Sequence, residues 1–178
     1  MNSREHHLVQ LVGADGSTIG EMTVEDAHRA PGRLHRAFSV LLRSPDGRLL
    51  LQQRAATKTR FALRWANACC GHPMPGDTVT DAAARRLAEE LGVTGVPLRE
   101  VGVHLYQAED PATGRVEFEH DHVLVGTFAG EPPAIDPAEV ATVEWVDPEE
   151  LFARVARRPD CYAPWLAGVL DAWRSSAR

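Results

Sequence analysis

The sequence predicts an α/β sandwich: a mixed central sheet with helices on its faces. Short apolar runs bounded by Gly, Pro and Asp recur along the chain. One strongly helix-forming stretch with a glycine stop lies between them, and an Asp-Pro helix start follows the last run. Strand and helix signals interleaved in this way favour an α/β layer architecture over an all-β one.

Leu8-Val9-Gln10-Leu11-Val12 is a short strand that ends at the turn signal Gly13-Ala14-Asp15-Gly16. A hairpin is expected from Ala37-Phe38-Ser39-Val40-Leu41-Leu42 and Leu49-Leu50-Leu51-Gln52-Gln53, joined through Ser44-Pro45-Asp46-Gly47, where Pro and Gly suit the turn. Residues 81–91 have high helix propensity and Gly92 is a natural stop. Ala83, Leu87 and Leu91 then share one face, with Arg86 and Glu90 one turn apart on another. Strands follow at 98–107 and 116–128 around Asp110-Pro111-Ala112-Thr113-Gly114, and Thr142-Val143-Glu144-Trp145-Val146 adds one more. Asp147-Pro148 opens a helix with Asp as cap and Pro at its first position. Glu131-Pro132-Pro133 is a loop, and there is no internal repeat or low-complexity block.

Composition bounds the function. With 178 residues, 44% hydrophobic and 25% charged, the chain supports one core, so residues 1–178 are expected to form a single domain. A net charge of −6 argues against nucleic-acid or anionic-membrane partners, which recruit clustered Lys and Arg. An anionic ligand must therefore be met by a local cluster, and a monomer or weak homodimer is expected. Three Cys cannot all pair, and Cys69 and Cys70 are neighbours, which fits a reducing compartment. No segment approaches the roughly 18 apolar residues of a membrane span. Met1-Asn2-Ser3-Arg4-Glu5-His6-His7 lacks a signal-peptide apolar core, so the expected location is cytoplasmic.

Chemistry concentrates around Cys70-Gly71-His72-Pro73 and the helix behind it. Gly71-x5-Asp77-x7-Arg85-Arg86-Leu87-x-Glu89-Glu90-x-Gly92-Val93 is similar to the Nudix box, Gly-x5-Glu-x7-Arg-Glu-U-x-Glu-Glu-x-Gly-U with U aliphatic. Asp77 stands for the first Glu and Arg86 for the Glu after Arg, which reverses a charge where a Nudix hydrolase holds metal. The resemblance implies a Nudix-type α/β/α sandwich that binds a diphosphate but performs different chemistry.

Cys-Gly-His-Pro within such a box resembles type 1 isopentenyl-diphosphate isomerase, and the likeness extends over roughly residues 5–170. His28-x6-His35 resembles that family's paired metal histidines and Glu117-Phe118-Glu119 its Glu-x-Glu strand. Arg54-x3-Lys58 is similar to its phosphate-binding pair, Tyr106 to its active-site tyrosine and Pro164-Trp165 to its pocket-lining Pro-Trp. Two features depart: Met22-Thr23-Val24-Glu25-Asp26 supplies no lysine ahead of the first histidine, and Phe61-Ala62-Leu63 replaces a Trp-Pro-Gly stretch while Trp65 is retained.

The resemblance implies a metal set of His28, His35, His72, Glu117 and Glu119, whose mixed nitrogen and carboxylate donors suit Zn²⁺ or Mn²⁺. Glu117 and Glu119 share a strand face, and His120 and His122 take the other. It further implies Mg²⁺ at Glu90 shared with a prenyl diphosphate, and Arg54, Lys58 and Arg86 as phosphate partners. Cys70 and Glu119 become the two proton-handling groups flanking an alkene, with Tyr106 tuning Glu119 and the Trp165 ring facing a cation. Without the resemblance, Arg54 and Lys58 read as a solvated loop, Arg86 as an intrahelical partner of Glu90, Trp165 as core and Cys69 as packing. Two other functions stand beside the isomerase: a Nudix diphosphate hydrolase, and an isomerase-like paralogue that binds or converts another prenyl diphosphate.

Overall fold

β3 (His35–Arg43) is buried along almost its whole length, so both of its faces need cover. Neighbouring residues of a strand point to opposite faces. Leu41 accordingly enters one core and Phe38, Val40 and Leu42 the other. β4 (Leu49–Arg54) divides likewise, with Leu49 and Leu51 on the first side and Leu50 on the second. The first side is closed by α3 (Pro148–Arg157) and α4 (Leu166–Ser176) through Leu151, Leu166, Val169 and Leu170. The second is closed by α2 (Val79–Leu91) through Ala83, Leu87 and Leu91. This is the α/β/α sandwich the sequence predicts.

The computed structural model describes residues 3–130 and 134–176. Met1, Asn2 and the loop expected at Glu131-Pro132-Pro133 lie outside the described residues. The remaining elements are β1 (Leu8–Val12), β2 (Thr18–Thr23), α1 (Val24–Ala27), β5 (Trp65–Asn67), β6 (Cys69–Gly71), β7 (Arg99–Glu109), β8 (Val116–Thr127) and β9 (Val140–Val146). The sheet is mixed: β3 runs parallel to β8, while β1–β2, β3–β6, β4–β5, β4–β9 and β7–β8 are antiparallel. Among the described residues no helix is long and apolar enough to cross a membrane.

The expected hairpin is present only at its base. β3 and β4 pair at Arg43 and Leu49 next to the turn, where Gly47 takes φ +93°. Beyond that β6 lies on β3 and β5 on β4, so the 65–71 segment fills the space between the splayed strands. These three-residue strands are too short to show periodicity. β2 and α1 are likewise not among the expected elements, and neither is α4, although Leu166, Val169 and Leu170 carry the spacing of a buried helix face. α2 begins ahead of the expected start because the Thr78 hydroxyl accepts from the Asp81 amide at 3.1 Å. It ends where sequence places it, with Gly92 in the left-handed region at φ 65°.

Candidate active site

Strand register assembles the site. The parallel pairing of β3 and β8 sets His35 beside Glu119, and β7 sets Tyr106 on the other side of Glu119. β6 sets Cys70 opposite Ser39 and Gly71 opposite Phe38. Gly71 is required there, because a Cβ would stand 2.9 Å from the Phe38 ring. His28 follows α1, and its carbonyl accepts from the Val116 amide at the start of β8.

One ligand atom from each of His28, His35, His72, Glu117 and Glu119 falls within 4.8 Å of every other. The five residues named from sequence as a metal set are thus brought together, four of them buried and His72 partly so. His28 Nδ1 lies 2.6 Å from the Val24 carbonyl and His35 Nδ1 2.7 Å from the Arg33 carbonyl. A carbonyl only accepts, so both Nδ1 atoms carry hydrogen and both rings turn Nε2 toward the cluster. His28 Nε2 faces Glu117 Oε2 at 2.7 Å. His35 Nε2 is buried without a hydrogen-bond partner, 3.6 Å from Glu119 Oε1. Ring nitrogens facing carboxylates need a proton or a cation between them, and this donor set at this spacing fits a metal ion. Burial and the neighbouring His35 and His28 push His72 down to about 4, despite its 2.9 Å contact with Glu119, so its ring is neutral near pH 7. Burial alone would raise Glu117, but His28 and Arg60 hold it well below the usual carboxylate range. His120 and His122 stay outside the cluster: His120 lies over Gly16 and His122 pairs with Glu100.

A cleft of about 830 Å³, counting space open to solvent, joins this cluster to Cys70, Tyr106, Trp165, Arg54, Lys58 and Arg86. Tyr106 donates to Glu119 Oε2 at 2.6 Å. Burial beside Asp121 pushes the Cys70 thiol up to about 12, so it stays protonated at neutral pH. Its Sγ donates to Asn67 Oδ1 at 3.2 Å, and the same oxygen accepts from the Trp165 indole at 3.0 Å. Asn67 is itself fixed by donating to the Val40 and Cys69 carbonyls. Cys69 is fully buried in the core facing α2. On the cleft wall Arg86 pairs with Glu89 and Glu90, and Lys58 with Glu139. Arg54 is engaged elsewhere: Nε and Nη2 donate to the Arg60 and Phe61 carbonyls, and its guanidinium stacks 5.3 Å from the Trp165 ring centroid. Glu90 is buried behind the wall, where Arg86 contacts Oε1 and Gln52 donates to Oε2.

Several residues at the site were not legible in sequence. Asn67 and Glu139 carry no motif. Arg60 bridges Glu117, at 2.9 Å, to Glu5 of the N-terminal 3₁₀ turn Ser3–His6, at 3.0 Å. Asp121, which accepts from Ser39 at 2.7 Å, does have a signal: it continues the alternation of Glu117 and Glu119 on one face of β8.

The NUDIX domain family matches residues 33–167, which places the sandwich, with the 71–93 motif running from β6 into α2, among NUDIX-domain proteins. Relatives aligned over almost the whole chain narrow the class. An isopentenyl-diphosphate Delta-isomerase of Nocardia farcinica is 59% identical over 95% of this chain and 98% of its own length. One of Streptomyces coelicolor is 48% identical over 96% of this chain and 85% of its own. The chain belongs to the isopentenyl-diphosphate Delta-isomerase family of NUDIX-domain proteins. Solved structures share the fold at low identity. A Deinococcus radiodurans protein superimposes with a TM-score of 0.75 at 22% identity, covering 97% of this chain and all of that one. A MutT protein of Methanosarcina mazei gives 0.65 at 18%, covering 82% and 96%.

Proposed function

We propose that this chain converts isopentenyl diphosphate to dimethylallyl diphosphate, protonating C4 and removing a proton from C2 by way of a tertiary cation at C3. One observation carries the reading beyond family membership: Cys70 and the Tyr106–Glu119 pair line the same cleft as Trp165 and the Lys58–Arg86 cations. An allylic isomerisation needs two proton-handling groups on one flat substrate, an aromatic surface for the cation and a positive anchor for the diphosphate.

Lys58 and Arg86 anchor the diphosphate and hold the alkene between Cys70 and Glu119, while Arg54 lines the same cleft with its Nε and Nη2 held on loop carbonyls. One of these groups delivers the proton and the other takes one away. Tyr106 orients Glu119 through its 2.6 Å hydrogen bond, and Asn67 orients the Cys70 thiol and the Trp165 ring together. The Trp165 indole is almost wholly buried, so it keeps water from the C3 cation while its face offers about 0.5–2 kcal/mol of cation–π attraction. When bound, Zn²⁺ or Mn²⁺ at His28, His35, His72, Glu117 and Glu119, and Mg²⁺ with Glu90, supply positive charge to the carboxylates and to the diphosphate respectively. Glu90 offers carboxylate oxygens, the donor type Mg²⁺ takes, with Oε1 contacted by Arg86 and 3.8 Å from Lys58 Nζ and Oε2 accepting from Gln52.

In this reading the enzyme acts as a single domain, monomeric or weakly dimeric, on a small prenyl diphosphate and without nucleic-acid or membrane partners. The net charge of −6 and three free thiols support that setting and a cytoplasmic location. The deciding assay incubates the protein with isopentenyl diphosphate and Mg²⁺ and identifies the product. Dimethylallyl diphosphate without phosphate release is expected. Release of phosphate from the same substrate would instead establish a hydrolase.

A further inference from the structure

The cations proposed to meet the diphosphate are already engaged by an anion of the chain itself. Glu139, only 6% exposed, lines the cleft. Its Oε2 contacts Lys58 Nζ and lies 3.4 Å from Arg86 Nη2, and its Oε1 lies 3.3 Å from Arg4 Nε. The backbone prevents an easy withdrawal. The Glu139 carbonyl accepts from the Ala55 amide at 3.0 Å, its own amide donates to the Asp136 carbonyl, and Thr57 Oγ1 donates to the Ala138 carbonyl at 2.8 Å. The loop that presents Lys58 is therefore tied to the loop that presents Glu139.

Charge balance gives this contact a consequence. Lys58, Arg86 and Arg4 interact with Glu139, Glu90 and Glu89, and no net positive charge remains in the group. Burial works against ionisation of Glu139, but Lys58, Arg86 and Arg4 hold it below the usual carboxylate range, so the charge persists at neutral pH. A free diphosphate would bring several negative charges onto cations that are already matched and sit beside a fixed carboxylate, whereas its divalent-metal complex brings fewer.

We propose that Glu139 is a specificity-determining residue, a built-in counter-anion that makes the Lys58–Arg86 subsite accept the metal complex of a diphosphate and reject the free polyanion. The proposal deepens the diphosphate reading above and rests on it. Glu139 contributes nothing to proton transfer in this account. It sets which ionic form of the substrate the cations can hold.

The test is calorimetric titration of the purified protein, its His/Glu centre left undisturbed, with inorganic pyrophosphate in excess Mg²⁺ and without added Mg²⁺. Glu139→Gln should bind metal-free pyrophosphate at least ~10-fold more tightly than wild type, and the magnesium complex within ~3-fold of wild type, because one charge beside a polyanion acts most strongly on the form with most charge. No gain for metal-free pyrophosphate overturns the inference. So does selective loss of the magnesium complex, which would make Glu139 an ion ligand. Failure of wild type to bind magnesium pyrophosphate at all overturns the diphosphate reading and the inference with it. Should the glutamine variant not fold, Glu139→Asp, which draws the charge back by one methylene, carries the same test. Its preference for the magnesium complex should fall, and a wild-type preference there counts against the proposal.

Discussion

Replacing Asn67 by Ala should destabilise the fold and impair turnover together, because one buried amide serves both. Asn67 is fully buried; its Oδ1 takes the Trp165 indole N–H and the Cys70 thiol, and its Nδ2 reaches the Val40 and Cys69 carbonyls. Truncation leaves the indole N–H without an acceptor, at about 1–3 kcal/mol, and each lost bond to a carbonyl adds about 0.5–1.5 kcal/mol. Partial relaxation into the space left behind puts the expected loss at about 2–5 kcal/mol, a large share of the roughly 5–15 kcal/mol typical of a domain. Freed from Asn67, Cys70 and Trp165 lose their alignment. A displacement of ~1 Å can cost about 10²-fold in rate, so kcat should fall far more than KM rises. Urea unfolding and steady-state kinetics on the same preparation measure both effects. A loss below ~1 kcal/mol with unaltered kcat would refute the assignment of Asn67 as the shared support.

Purified protein should carry about one tightly held Zn²⁺ or Mn²⁺ per chain; elemental analysis should show its marked loss in His72→Ala and Glu117→Gln, and full metal content in both variants would reject the site. Leu63 is 53% exposed and sits at φ 62°. A left-handed conformation costs a side-chain-bearing residue about 1–2 kcal/mol, against about 0.5–1 kcal/mol for the added freedom of glycine. Leu63→Gly should therefore stabilise the fold by up to ~1 kcal/mol, read as a raised urea midpoint, and a lowered midpoint would show that the loop is not strained there. Burial alone would raise Glu5 and Glu139, but Arg60 and Thr59 for the first, and Lys58, Arg86 and Arg4 for the second, hold both below 4.5. The folded state then binds these protons less readily than the unfolded one. The stability they contribute is full above about pH 4.5 and drains as pH falls through their lower folded values. Melting temperature measured down that range should decline less in Glu139→Gln than in wild type; identical declines would remove Glu139 from the balance.

The parts of the molecule legible in sequence are those whose signals are local. β3, β4, β8 and α2 announce themselves through runs and periods that act within a few residues, and the Gly92 stop follows from the left-handed turn it makes. The His and Glu residues that converge at the centre were reached through ordered motifs, since nothing in their spacing says that His35 will run beside Glu119. Their meeting depends on the parallel register of β3 and β8. Asn67, Arg60 and Glu139 are polar residues whose partners lie far along the chain: Trp165 for Asn67, Glu117 for Arg60 and Lys58 for Glu139. Single long-range pairs leave no period to read. β5 and β6 are illegible for a related reason, because they are strands only by virtue of the edges that β4 and β3 offer them. Arg54 shows the limit of a motif from the other direction. Its position matches a phosphate-binding pair, yet its Nε and Nη2 donors hold loop carbonyls and its plane covers Trp165.

The measurement that bears most directly on the central claim is isomerisation in D₂O. An enzyme that adds one proton and removes another must exchange with solvent, so isopentenyl diphosphate should yield dimethylallyl diphosphate carrying deuterium in a methyl group. Cys70→Ala should suppress the reaction by at least the ~10²–10⁴-fold typical of lost general acid–base catalysis, while metal content stays that of wild type. Product without deuterium, or a fully active Cys70→Ala, would contradict the proton-transfer account.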